Sequence, residues 1–167
     1  YNPWQFWGME KDEDWGNCFY YWGKDNHVDG SVHNPNWDCE EDNMQSWMKL
    51  MYNNFCKRGI PALIGELGAN CRNLIGLACE SQEKHDASIH LYYKLVYQYA
   101  LEYGMVPMAW DTNYTNYGMT IIDRSNLTVY NQNMMNAINE AVATDILDID
   151  KDKPVTNSDR IYDLHGR

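Results

Sequence analysis

Apolar positions along the chain fall into blocks of two distinct periods. From about Glu40 to Arg58, Met44, Trp47, Met48, Met51 and Phe55 recur at intervals of three and four, which predicts a helix with one apolar stripe. Asp38 suits its N-cap, Glu40-Glu41-Asp42 its first turn, and Lys57-Arg58-Gly59 its end, with Pro61 forbidding continuation. Ala62-Leu63-Ile64-Gly65-Glu66 follows, a short apolar run that suits a strand buried on both faces of a parallel sheet. After a loop opened by Leu67-Gly68-Ala69-Asn70, a second helix runs from about Ser81 or Asp86 to Tyr103, with Ile89, Tyr92, Tyr93, Val96 and Ala100 at helical spacing and Gly104 as its stop. Met105 to Trp110 reads as another buried strand despite Pro107, and Asp111 to Tyr117 as a polar loop. A third helix covers about Asn131 to Ala143.

Helices alternating with apolar strands signal parallel strands joined by crossover helices, so the fold class is α/β. Two strands, or three counting the end of one before Tyr1, do not close a sheet, so the chain reads as part of a larger fold. The flanks differ in texture. Residues 1 to about 39 carry Gly8, Gly16, Gly23, Gly30, Pro3 and Pro35 with five of the seven Trp, and predict a long irregular segment. Disorder fits poorly with so many aromatics. From about Asp145 the run Asp148, Asp150, Lys151, Asp152, Lys153 and Pro154 reads as a charged linker, which divides the chain into residues 1–144 and 145–167. Residues 160–167 resemble the opening of C-terminal sorting tails on secreted bacterial proteins.

Composition narrows the choice of function. With 24 acidic against 13 basic side chains the formal net charge is −11, which repels phosphate backbones and argues against nucleic-acid binding. No run of about 18 apolar residues is present, so no segment is expected to span a membrane. Five cysteines without a CxxC pair argue against structural zinc or a full disulfide framework, and sequence cannot choose a single pair among them. His27, His33 and Cys39 fit no metal template, and His85 and His90 are expected on a solvent-facing side of their helix. No metal or organic cofactor is implied. Seven Trp and thirteen Tyr against three Phe favour aromatics with a polar edge, which suit either a mixed core or the faces of sugar rings.

Candidate chemistry centres on Glu66, at the C-terminal end of its strand, with Trp110 at the end of the next. In a parallel α/β barrel both ends share the face where active sites form. Glycoside hydrolysis needs two carboxylates flanking the scissile bond, about 5–5.5 Å apart when configuration is retained. Glu66 alone meets half of that need, and spacing alone favours a strand-end carboxylate that caps a helix or pairs with Arg72.

Gly59-Ile60-Pro61-Ala62-Leu63-Ile64-Gly65-Glu66-Leu67-Gly68-Ala69 resembles the strand-seven motif of glycoside hydrolase family 5, with Leu67 in place of the usual Phe. Tyr103 to Asn113 is similar to the strand-eight motif, Gly118-Met119-Thr120-Ile121-Ile122-Asp123-Arg124 to the closing segment, and Tyr1-Asn2-Pro3 to the end of the strand-six motif. The resemblance covers about residues 1 to 143 and implies the C-terminal part, about strands six to eight, of a (β/α)8 barrel truncated at its N-terminus. It implies a retaining endo-β-1,4-glucanase, or a mannanase or xyloglucanase of the same family. Glu66 would be the nucleophile, Tyr1 its hydrogen-bonding partner, and Trp110 a sugar platform. Trp4, Trp22 and Asn113 join the expected substrate contacts. The acid/base Glu of the family's Asn-Glu motif has no counterpart here, so the chain alone is expected to be inactive and to need the missing N-terminal half. A β-glucan is the implied partner, and a secreted or cell-surface bacterial setting the implied location. A non-catalytic carbohydrate-binding protein is the rival expectation.

Overall fold

A computed structural model describes residues 3–115 and 118–152. Tyr1, expected beside the nucleophile, and the tail 160–167 lie outside the described residues. The order is α1 (Trp4–Trp7), α2 (Glu41–Asn54), β1 (Ala62–Leu67), α3 (Gln82–Glu102), β2 (Met105–Ala109), β3 (Ile122–Asp123), β4 (Thr128–Val129) and α4 (Gln132–Asp152). β1 and β2 pair in parallel, whereas β3 and β4 form a small antiparallel hairpin. The crossover from β1 to β2 through α3 is the expected α/β arrangement.

α3 is built as its sequence reads. Ser81 caps it, accepting at Oγ from Lys84 N at 3.2 Å, and Glu83 sits in the first turn. Ile89, Tyr92, Tyr93, Val96 and Ala100 are all buried in the core, against α2, β2 and α4. His85 corrects the solvent-facing expectation. It precedes Ile89 by four positions and Tyr92 by seven, so it lies on the same stripe and is fully buried. Its Nε2 accepts from Arg72 N at 2.8 Å, and burial holds its pKa below the ordinary imidazole value, keeping that nitrogen free to accept. His90 also turns inward, to the seam with α4, where Nδ1 meets Asn133 Oδ1 at 3.0 Å and Nε2 meets Glu140 Oε2 at 3.2 Å.

α2 begins after Glu40 rather than Asp38, without a side-chain cap. Its stripe divides: Met44 and Met48 are buried, whereas Trp47, Met51 and Phe55 stay exposed. A 3-10 turn, Cys56–Arg58, closes on Gly59 in the left-handed region at φ 75°, a conformation that suits a residue without Cβ. α4 buries Met134, Ala137 and Ala141. It extends to Asp152, past the expected end near Ala143, because no Gly or Pro interrupts it before Pro154.

β1 and β2 depart from the expected burial on both faces. Ala62, Ile64 and Met105 pack toward the helices, but Leu63 is 58% exposed, Val106 55% and Met108 48%. The helices cover one face of the pair, and the other face is apolar and open.

The long N-terminal segment is irregular apart from α1 and the 3-10 turn Lys24–Asn26, yet it is tightly packed. Phe6, Phe19, Tyr21 and Trp22 are buried, and hydrogen bonds sew the segment to the loop after β1: Asn70 N donates to Phe6 O at 3.1 Å, and the Arg72 guanidinium to Met9 O and Glu10 O. The five cysteines are free thiols. Among the described residues no helix is long and apolar enough to cross a membrane.

Candidate active site

Glu66 occupies the last-but-one position of β1 and is exposed. The register explains its setting. Ala62 pairs with Met105, Leu63 with Val106 and Ile64 with Pro107, but Leu67 pairs with Ala109, so three steps along β1 match two along β2. The additional residue falls at Gly65-Glu66. Such a bulge takes a side chain out of the strict alternation of its strand, and bulges are enriched beside active sites. Without it, Glu66 would share the parity of Ala62 and Ile64, whose side chains pack against the helices.

Beyond the bulge the two strands rejoin, and Trp110 N donates to Leu67 O at 2.7 Å. Trp110 follows Val106 and Met108 at every second position and is 44% exposed, so its ring continues the open apolar face. The ring and the carboxylate therefore stand on adjacent strand ends. Asp111 braces the turn that follows: Oδ1 accepts from Asn113 N at 2.8 Å, and Oδ2 from Ile122 N at 2.9 Å. Asn113, at φ 60°, accepts at Oδ1 from Arg124 N at 3.0 Å, and the Thr112 and Thr120 hydroxyls meet at 2.7 Å. The strand-eight and closing segments are thus one hydrogen-bonded unit. Asn113 reaches its expected neighbourhood, with its side-chain oxygen engaged in holding the turn.

The loop behind Glu66 is fixed from two sides. The Tyr92 hydroxyl lies buried beside Gly68, and burial pushes its pKa upward. Gly118 O accepts from Cys71 N at 3.0 Å, and a Cβ on Gly118 would stand 2.3 Å from Cys71 O and 2.0 Å from Asn70 Oδ1. Arg72 directs its guanidinium to Met9 and Glu10 rather than pairing with the nucleophile candidate, and Glu66 has its own interactions elsewhere.

The two remaining tryptophans separate. Trp4 is 48% exposed, with its ring folded over Gly8 and edge-on to Trp7 at 4.6 Å, so it presents a ring on the loop sewn to Asn70. Trp22 corrects its expected role. It is fully buried, its Nε1 donates to Cys39 O at 3.0 Å, and its ring packs edge-on against Tyr92, so no face remains for a sugar. Its neighbours in sequence are equally aromatic, so composition did not distinguish the buried ring from the exposed one. Asp111, Gly118 and Tyr92 were the site-forming residues that sequence reasoning missed. A tyrosine in a helix's buried stripe, where a Phe would pack equally well, is the available signal for the last of them.

Between α2 and β1 runs a cavity of about 440 Å³ lined by Met44, Trp47, Met51 and Leu63 among others, with Glu66 at its rim. Among the described residues no group of three or more His, Cys, Asp or Glu side chains could hold a metal ion. His27 pairs with Glu40 at 2.8 Å, and His33 with Glu80 and Asp12.

No protein-family model matches the chain. Endoglucanase A of Paenibacillus barcinonensis is 32% identical over 143 residues, which are 83% of this chain and 31% of that enzyme. Among solved structures, a xyloglucan-specific β-1,4-glucanase of family 5 from a ruminal metagenomic library is 33% identical with a TM-score of 0.76, over 98% of this chain and 40% of that one. A family 5 xyloglucanase from Paenibacillus pabuli is 30% identical with a TM-score of 0.69, over 84% of this chain and 36% of that one. The chain therefore spans less than half the length of these relatives. With the motifs around Glu66 and Trp110 brought together in space and relatives of one kind by both sequence and structure, the chain is related to the cellulase family, glycoside hydrolase family 5.

Proposed function

We propose that the chain is the C-terminal portion of a (β/α)8 barrel that hydrolyses β-1,4-glucan internally with retention of configuration. Glu66 attacks the anomeric carbon and forms the glycosyl-enzyme, and a Glu from the preceding part of the barrel protonates the leaving oxygen and then activates water. Trp110 and Trp4 offer faces to the sugar, Asn113 fixes the turn beside them, and Tyr1 serves as the nucleophile's partner. The observation that carries this reading is the bulge at Gly65-Glu66, which sets an exposed carboxylate on a strand end tied directly to Trp110. The apolar α2–β1 groove and the open face of Leu63, Val106 and Met108 support packing of further barrel strands there. Secretion or display at a bacterial surface follows from the polymeric substrate, which is too large to enter a cell.

In the complete protein, Glu66→Gln should lower kcat by at least about a thousandfold with the fold intact, since removal of a nucleophile eliminates the covalent route. A 2-fluoroglycoside inactivator should label Glu66, and an adduct on another residue would overturn the assignment. Xyloglucan is the second substrate reading, supported by the two solved relatives at 33% and 30% identity being a xyloglucan-specific glucanase and a xyloglucanase. Relative kcat/KM on xyloglucan, carboxymethylcellulose and mannan decides between them.

A further inference from the structure

A recess between the starts of α3 and α4 lies outside the proposed catalytic centre. It measures about 660 Å³, within the size range of small-ligand sites, and its walls include Arg72 and Asn73 after β1, Asp86 of α3, Gly118, and Tyr130 and Gln132 at the start of α4. Glu66 and Trp110 do not line it, and along the chain Leu67 to Asn70 separate the nucleophile candidate from the nearest wall.

Tyr130 is the aromatic ring of this recess among the described residues. It is 49% exposed and pinned at both ends: its backbone N donates to Ile121 O at 2.8 Å, and its hydroxyl donates to Thr115 O at 2.6 Å. A ring fixed before binding loses little freedom when a ligand stacks on it. The polar groups around it are half used. Asp86 Oδ1 accepts from Gln82 Nε2 at 2.8 Å, Asn73 Oδ1 accepts from Ile75 N at 3.1 Å, and Gln132 Nε2 donates to Asn136 Oδ1 at 2.8 Å. Left over are one carboxylate oxygen, one amide nitrogen and one amide oxygen, a mixed set of two acceptors and a donor.

Charge narrows the ligand to a neutral one. Arg72 and Asp86 are of opposite sign in the same lining, and the Arg72 guanidinium is already committed to Met9 O and Glu10 O, so a phosphate would meet Asp86 without a cation of its own. Among the described residues no group of His, Cys, Asp or Glu side chains could hold a metal ion. A hydroxyl both donates and accepts, so neighbouring hydroxyls match a mixed set of acceptors and donors, and the C–H face of a sugar matches a tyrosine ring.

We propose that this recess is a second glycan site: one glucosyl unit of a β-glucan chain stacks on Tyr130, and its hydroxyls bond Asp86, Asn73 and Gln132. The site holds polymer without cutting it, which raises the local concentration of chain at the strand ends. It rests on the reading of the substrate as a β-glucan and not on the role of Glu66.

The test uses the complete protein with its catalytic cleft blocked by a 2-fluorocellobioside, run in native gels that contain xyloglucan or hydroxyethylcellulose. The blocked protein should still be retarded, and Tyr130→Ala should weaken that binding by about tenfold, the upper part of the range for a stacked ring. Hydrolysis of a short aryl cellobioside, which occupies the cleft alone, should keep its kcat/KM in Tyr130→Ala. If that variant fails to fold, Asn73→Ala combined with Gln132→Ala leaves the ring and its two bonds in place and should weaken retardation severalfold. Loss of retardation on blocking, equal retardation of parent and variants, or a lower kcat/KM on the aryl cellobioside would each overturn the second site. A protein that cuts β-glucan but is not retarded once blocked loses this site alone, whereas one that neither cuts nor is retarded by β-glucan loses the substrate reading with it.

Discussion

Gly118 carries no functional group, yet the position of the Glu66 loop depends on it. Any side chain there meets backbone atoms of Cys71 at distances that real Cβ contacts do not reach, and backbone cannot swing aside as a methionine tip can. Gly118→Ala should therefore cost about 3 kcal/mol, the upper part of the range for overpacking, seen as a lower urea midpoint at unchanged slope. A midpoint equal to that of the parent would mean the loop is held elsewhere. Residue-scale legibility was uneven. Glu66 and Trp110 could be singled out because each ends an apolar run, a one-dimensional property. The burial of Trp22, the exposure of Trp4 and the inward turn of His85 follow from which partner each meets. Trp4 and Trp22 sit in stretches of similar composition, so only the folded chain tells them apart.

At the scale of elements, α3 was the most readable, since its stripe, cap and stop all agree. The cap makes a separable prediction: Ser81→Ala should destabilise the chain by about 1 kcal/mol, measured by thermal or urea unfolding, through loss of the bond to Lys84 N. A loss far above that would implicate the neighbouring Glu80 cluster as well. The bulge between β1 and β2 could not be read, because a register break is a property of two strands together. Local residues give only Gly65 as a hint. Likewise, α4 runs past its expected end near Ala143 to Asp152, through charged residues that tolerate a helix.

For the whole molecule, one face of the β1–β2 pair and the groove beside α2 leave large apolar side chains in solvent, offset by a net charge of −11. Exposed patches of this kind drive association. Taken alone, the chain should self-associate in sedimentation experiments, and Leu63→Asn with Val106→Thr should reduce that association. The same chain should leave carboxymethylcellulose intact, and adding the N-terminal part of a family 5 barrel should confer hydrolysis. Turnover by purified chain alone would place the acid/base inside these residues.

The bond from Trp110 N to Leu67 O has a consequence for variation within such a fold. It joins main chain to main chain, one residue from Glu66 on one strand and at Trp110 on the other. The spacing between these two backbone positions is therefore independent of side-chain identity and of the length of either following loop. On the reading proposed above, those loops can be replaced to admit a branched or an unbranched glucan while Glu66 and Trp110 keep their separation.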